Sequence, residues 1–168
     1  LAINESQMTG EPMGVFAMNQ GPSADLLPLP LPAERTGRMV LVAMRRMAAH
    51  GIRDAHAAWL MLDLFGARFR RPLVLLRAFM LEFAQASHRP IRIAPCCSLR
   101  MTRDEGLLID ALILACDHPG LAEDALVRLS GNPCIFEPLS AAAVFSRAIG
   151  ELEPARAYQP PSSLASGA

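Results

Sequence analysis

The apolar positions Val40, Ala43, Met44 and Met47 recur at the three- and four-residue spacing that gathers side chains on one helical face, and Gly51 follows where a C-terminal cap is expected. Asp54 is placed to cap a second helix. Its apparent stripe is Ala55, Ala58, Trp59, Leu62 and Phe65, ending at Gly66, so Trp59 reads as a core residue. Pro72 then opens a third helix running to about Ala86, with Leu76, Phe79, Met80 and Phe83 inward. Nearly every position from Leu73 to Phe83 is apolar, which predicts a helix covered on several sides and the most buried element of the fold.

The stretch from Ser87 to Met101 contains Pro90 and Pro95 and predicts an ordered loop; Ile91 to Ala94 has strand character but no evident partner for its backbone. Thr102 and Glu105 then form a capping-box pattern for a fourth helix through Leu107, Leu108, Ala111, Leu112 and Ala115, ending near Cys116. A fifth helix spans about Leu121 to Leu129 and stops at Ser130-Gly131. Ser140 is placed to cap the last, which continues through Val144, Phe145 and Ile149. Residues 1–34, ending in L-L-P-L-P-L-P, predict a disordered or extended proline-rich arm whose leucines dock on the domain, and residues 154–168 a disordered tail. The expectation is an all-α fold: a single compact bundle of five or six helices over residues 35–153.

Composition strengthens that picture. Apolar residues make up 52% of the 168 positions and aromatics only 5%, so the core is built from aliphatic helix formers and needs no disulfide staples. All sixteen basic residues are arginines, which we read as coding bias. The net charge of zero conceals an uneven distribution. Residues 35–103 hold thirteen arginines against Asp54, Asp63 and Glu82, whereas residues 104–153 hold nine acids against Arg128 and Arg147. Pairing of the two halves within the molecule is the preferred reading, ahead of a basic face for an anionic partner. No apolar run approaches the roughly 18 residues of a membrane span. With no secretory pattern at the N-terminus, the expected location is the cytoplasm, where the four cysteines stay reduced.

Little in the chain carries recognisable chemistry. The four histidines stand apart from any metal-ligand or catalytic spacing, and no nucleophile elbow, phosphate loop or dinucleotide fingerprint is present. Arg68, Arg70 and Arg71 precede the third helix and form a candidate anion site, since helix amides and dipole favour a phosphate or carboxylate there. Nucleic-acid binding is a weaker use of the same arginines, because the following helix offers Leu, Val, Phe and Met instead of polar groups for base edges. The adjacent Cys96 and Cys97 lie among Arg92, Arg100 and Arg103, where thiolate is favoured. An antiparallel fifth helix would return Cys134 toward them as a third thiol of a redox or zinc site, with Cys116 a buried small hydrophobe at the far end of the fourth helix.

The segments R-R-M-A-A-H-G-I-R-D-A-H-A, F-R-R-P-L-V-L-L-R-A-F-M and A-P-C-C-S-L-R-M-T-R-D-E together resemble a family of small alphaproteobacterial, notably sphingomonad, proteins classed as a domain of unknown function. The resemblance covers about Arg38 to Ile149. It implies a compact bacterial cytoplasmic domain and assigns no active residues. The sequence therefore predicts a non-enzymatic binding or regulatory helical module, working through a protein partner or self-association. Two alternatives stand behind it: a thiol sensor or metal protein using Cys96, Cys97 and Cys134, and anion or nucleic-acid binding through the arginines.

Overall fold

Helical segments of 11 to 17 residues dominate the computed structural model, which describes residues 16–18 and 28–152. Among the described residues six helices form, α1 (Arg35–His50), α2 (Ala55–Phe65), α3 (Arg70–Ala86), α4 (Arg103–Leu114), α5 (Pro119–Ser130) and α6 (Phe136–Gly150), with a short 3-10 turn at Gly66–Arg68. The helical bundle matches the expected fold class. α3 packs chiefly on α6, α4 on α5 and α6, and α1 on α2.

The local signals act as expected at several ends. The Asp54 side chain accepts from the Ala57 amide, and Thr102 and Glu105 complete the reciprocal capping box. Gly131 ends α5 in the left-handed conformation that a Cβ would strain. At α6 the expectation fails: Ser140 is an exposed residue inside the helix, which begins four residues earlier at Phe136.

Two short ladders hold the connection between α3 and α4. β3 (Ile91–Ile93) pairs in parallel with β1 (Phe16–Met18), and β4 (Arg100–Met101) pairs antiparallel with β2 (Leu29–Pro30). The partner that Ile91–Ala94 lacked along the chain is supplied by the N-terminal arm, over 70 residues away in register. Leu29 and Leu31 pack against the core. The arm fits because two helices carry glycine beneath it: a Cβ on Gly106 would come 2.5 Å from Leu29 Cδ1, and one on Gly37 would come 2.9 Å from Pro32 Cβ.

Burial corrects three expectations. Trp59 is 61% exposed and Leu62 is also exposed, because α2 turns Ala57 and Met61 inward; of the expected stripe, only Ala58 and Phe65 pack, half-buried, against the core. α3 buries Leu76, Phe79, Met80 and Phe83 as predicted, yet Val74 and Leu81 are exposed. α3 is not the most buried helix: α1 buries eight of its 16 residues and α4 six of its 12, against six of 17 in α3, and α1 and α4 each also supply a charged side chain to the interior. Cys116 is exposed instead of buried: α4 ends at Leu114, Ala115 takes the core position, and Cys116 falls in the turn beyond it.

Candidate functional site

The inward face of α1 would be wholly aliphatic but for Arg45, which is fully buried, as is Glu105 in the first turn of α4. The two meet in a bidentate pair, Nε to Oε1 at 2.7 Å and Nη2 to Oε2 at 3.0 Å. Both carry the backbone of the intervening loop. Arg45 donates from Nη1 to the Ser98 carbonyl at 2.8 Å and from Nη2 to the Arg100 carbonyl at 2.7 Å. The carboxylate accepts from the Ala94 amide at 2.9 Å and the Thr102 amide at 2.8 Å. Thr102 Oγ1 in turn donates to the Arg92 carbonyl. Desolvating two charges is costly, so such a pair is weak evidence of stability and better evidence of a specified conformation. The conformation specified here is the segment from Ala94 to Thr102.

That segment presents the two adjacent thiols. The Ser98 amide donates to the Pro95 carbonyl at 2.9 Å, closing a turn whose central residues are Cys96 and Cys97. Cys96 is half-buried and Cys97 exposed, and all four cysteines are free thiols. On the outer side of α1, Arg46 makes a bidentate pair with Asp54, at 3.1 and 2.8 Å, and reaches His56 Nδ1 at 3.2 Å. The hydrogen bond that Arg46 donates to Asp54 raises the pKa of the guanidinium; burial opposes this, and the charge of Asp54 with the charge and hydrogen bond of Cys96 adds to it. Thus Cys96 sits beside a permanent cation.

Burial pushes the Asp54 carboxyl upward, but the hydrogen bonds from Arg46 and the Ala57 amide, with the charges of Arg46 and His50, hold it below the usual carboxylate range. A lowered native pKa means that the anion's contribution is complete above the ordinary value of 3.8 and is lost as pH falls through the native value. Asp54→Ala is therefore expected to cost roughly 0.5–2 kcal/mol at neutral pH, the usual range for an N-cap. In denaturation at successive pH values, its deficit against wild type should shrink below pH 3.8. A deficit that stayed constant into acid would assign the loss to packing.

The remaining candidates are dispersed. Cys134 lies in the α5–α6 turn, its amide bonded to Asn132 Oδ1, while Asn132 Nδ2 donates to the Ala86 carbonyl and the His88 amide to the Ser130 carbonyl. This turn therefore docks at the entrance to β3, whereas Cys96 and Cys97 follow its exit. Among the described residues, no three His, Cys, Asp or Glu side chains gather to hold a metal ion. Arg68, Arg70 and Arg71 are all exposed, and Arg71 pairs with Glu151 at 2.8 Å, so one member of the trio is joined to the acidic half. The pairs Arg35–Asp63 and Arg46–Asp54 form within the arginine-rich half.

A second feature had no signal along the chain. At the other end of the bundle, the start of α1, the C-terminal part of α4 and the end of α6 line an open pocket of about 520 Å³. Val40, Ile109, Leu112, Phe145 and Ile149 form its apolar walls, and Ile113 and Cys116 stand at exposed positions around it. The charged groups around it are Glu34, Asp117 and Glu151 with Arg147. Ser146 Oγ donates to the Ile113 carbonyl at 3.1 Å and joins α6 to α4 beside it.

The chain belongs to the Family of unknown function (DUF6628), which matches residues 18–154 and so takes in β2, β3, β4 and all six helices. No curated protein and no solved structure matches it. No helix among the described residues is long and apolar enough to cross a membrane.

Proposed function

We propose that this protein is a non-enzymatic cytoplasmic binding module, and that its ligand is a small aliphatic molecule with a cationic head group held between α1, α4 and α6. The observation that carries the reading is an open apolar pocket of about 520 Å³ edged by three carboxylates and one guanidinium. A volume of this order, mostly apolar walls and a few polar groups suit a small ligand. Ile113 and Ile149, which keep accessible surface at the pocket, would contact the hydrocarbon part. Counting Arg71, which pairs with Glu151, together with Arg147 leaves one carboxylate in excess at the edge, and that excess favours an ammonium over a carboxylate. Asp117 is the acid best suited to this contact, since Glu151 already shares its charge with Arg71.

The test compares n-octylamine with octanoate by thermal denaturation and calorimetry. Ligand at 100 times its Kd contributes about 2.7 kcal/mol to the folded state. For a chain of this size that corresponds to a rise in Tm of roughly 5–10 °C. The amine should give this rise and octanoate should not. Ile113→Trp, at an exposed position, should leave the fold intact and remove the response by obstructing the cavity; Asp117→Asn should weaken the amine alone. Equal responses to both amphiphiles, or a response that survives Ile113→Trp, would overturn the proposal.

A further inference from the structure

The loop specified by Arg45 and Glu105 has no part in that cavity, and its organisation calls for a separate account. Two fully buried charges are spent on the backbone on both sides of a four-residue turn, and the two central residues of that turn are cysteines. We propose that Cys96 and Cys97 form a dithiol site for a soft pyramidal centre of the trivalent-arsenic class.

The geometry limits the chemistry. Consecutive Cα atoms are about 3.8 Å apart, below the roughly 4.4–6.8 Å of ordinary disulfides, so the thiols are poorly placed to oxidise to one another. A single atom bridging both sulfurs enlarges the ring by one member and relieves that constraint. No third thiol, imidazole or carboxylate joins them in a metal-holding group among the described residues, which disfavours tetrahedral zinc. A pyramidal centre is satisfied by two thiolates and one further substituent, and its bent S–As–S angle suits neighbouring residues. A linear two-coordinate ion would require the thiolates on opposite sides.

Access and order are also in place. Cys97 is exposed and Cys96 half-buried, with Arg46 beside it. The turn is closed by Pro95 and Ser98, and its flanks are held through Ala94, Ser98 and Arg100, so little loop entropy remains to be lost on binding. The reaction is a condensation. With phenylarsine oxide, each thiol gives its proton to the arsenic-bound oxygen, two As–S bonds form as the As–O bonding is lost, and one water leaves. Arsenic stays trivalent and neither sulfur is oxidised.

Intact-mass measurement after one equivalent of phenylarsine oxide tests this directly. Wild type should hold one adduct that survives excess 2-mercaptoethanol and is released by 2,3-dimercaptopropanol. The double variant Cys116→Ser/Cys134→Ser should retain it, and Cys96→Ser and Cys97→Ser should each lose it while keeping the wild-type circular dichroism. Native protein should bind at least tenfold more tightly than the same protein in urea. A monothiol-resistant adduct that persists in either single serine variant, or is absent from wild type, would overturn the site. Equal affinity in native and unfolded chains would overturn the role assigned to the ordered loop.

Discussion

Glu105→Ala is expected to lower the free energy of unfolding by about 3–5 kcal/mol, the range for removing one partner of a buried ion pair. The variant leaves the Arg45 guanidinium buried without its counter-charge and deprives the Ala94 and Thr102 amides of their acceptor. Arg45→Met should cost a similar amount by the converse route, since it strands the carboxylate and the Ser98 carbonyl and leaves the Arg100 carbonyl only its 3.1 Å bond from Ser98 Oγ. Replacing both charges is often neutral in other proteins. Here the double variant Arg45→Met/Glu105→Leu should remain destabilised, though by less than the two single costs together. The pair also satisfies four backbone groups of the loop, and each one left unsatisfied costs about 1–3 kcal/mol. Urea denaturation of the four proteins would close the cycle, with hydrogen exchange at Ala94 and Thr102 reporting the loop. A loss below 1 kcal/mol for Glu105→Ala would mean that water reaches the carboxylate and the loop has other supports.

A comparable loss, about 3–5 kcal/mol, is expected for Phe79→Ala in α3. Phe79 is fully buried, and its ring stacks on Phe83 with centroids 5.8 Å apart and planes 8° from parallel. Truncation removes the transfer energy of the ring and leaves a cavity in the core against which α3 packs. Phe79→Leu should recover most of the loss. A cycle with Phe83→Leu should leave a coupling of about 0.5–1.5 kcal/mol for the aromatic pair. Phe136→Ala is the control: this ring is 75% exposed, and its loss should change stability by no more than about 0.5 kcal/mol. Since a domain of this size has about 5–15 kcal/mol in total, Phe79→Ala should visibly populate the unfolded state in mild denaturant whereas Phe136→Ala should not.

What the sequence determined by itself is local. Caps and stops act within four residues, so Asp54, the Thr102–Glu105 box and Gly131 could be read before any packing was known, as could the helical class and the inward face of α1. The adjacent cysteines were equally legible, whereas the arginine beside Cys96 is Arg46 of α1, fifty positions earlier and not among those that flank the pair in sequence. Which face of a helix is buried is a collective matter. α2 is apolar around much of its circumference, and the position of α1 decided that Ala57 and Met61 face inward and Trp59 outward. α6 began before its apparent cap because packing against α3 outweighed a single hydroxyl. The candidate sites depend most on distance along the chain. Arg45 looked like any arginine until α4 brought Glu105, 60 positions later, against it. β3 acquired its partner from residue 16 onward, and the cavity combines α1, α4 and α6. Only the folded chain decides these pairings, because their energy comes from desolvation and long-range closure, which no local spacing records.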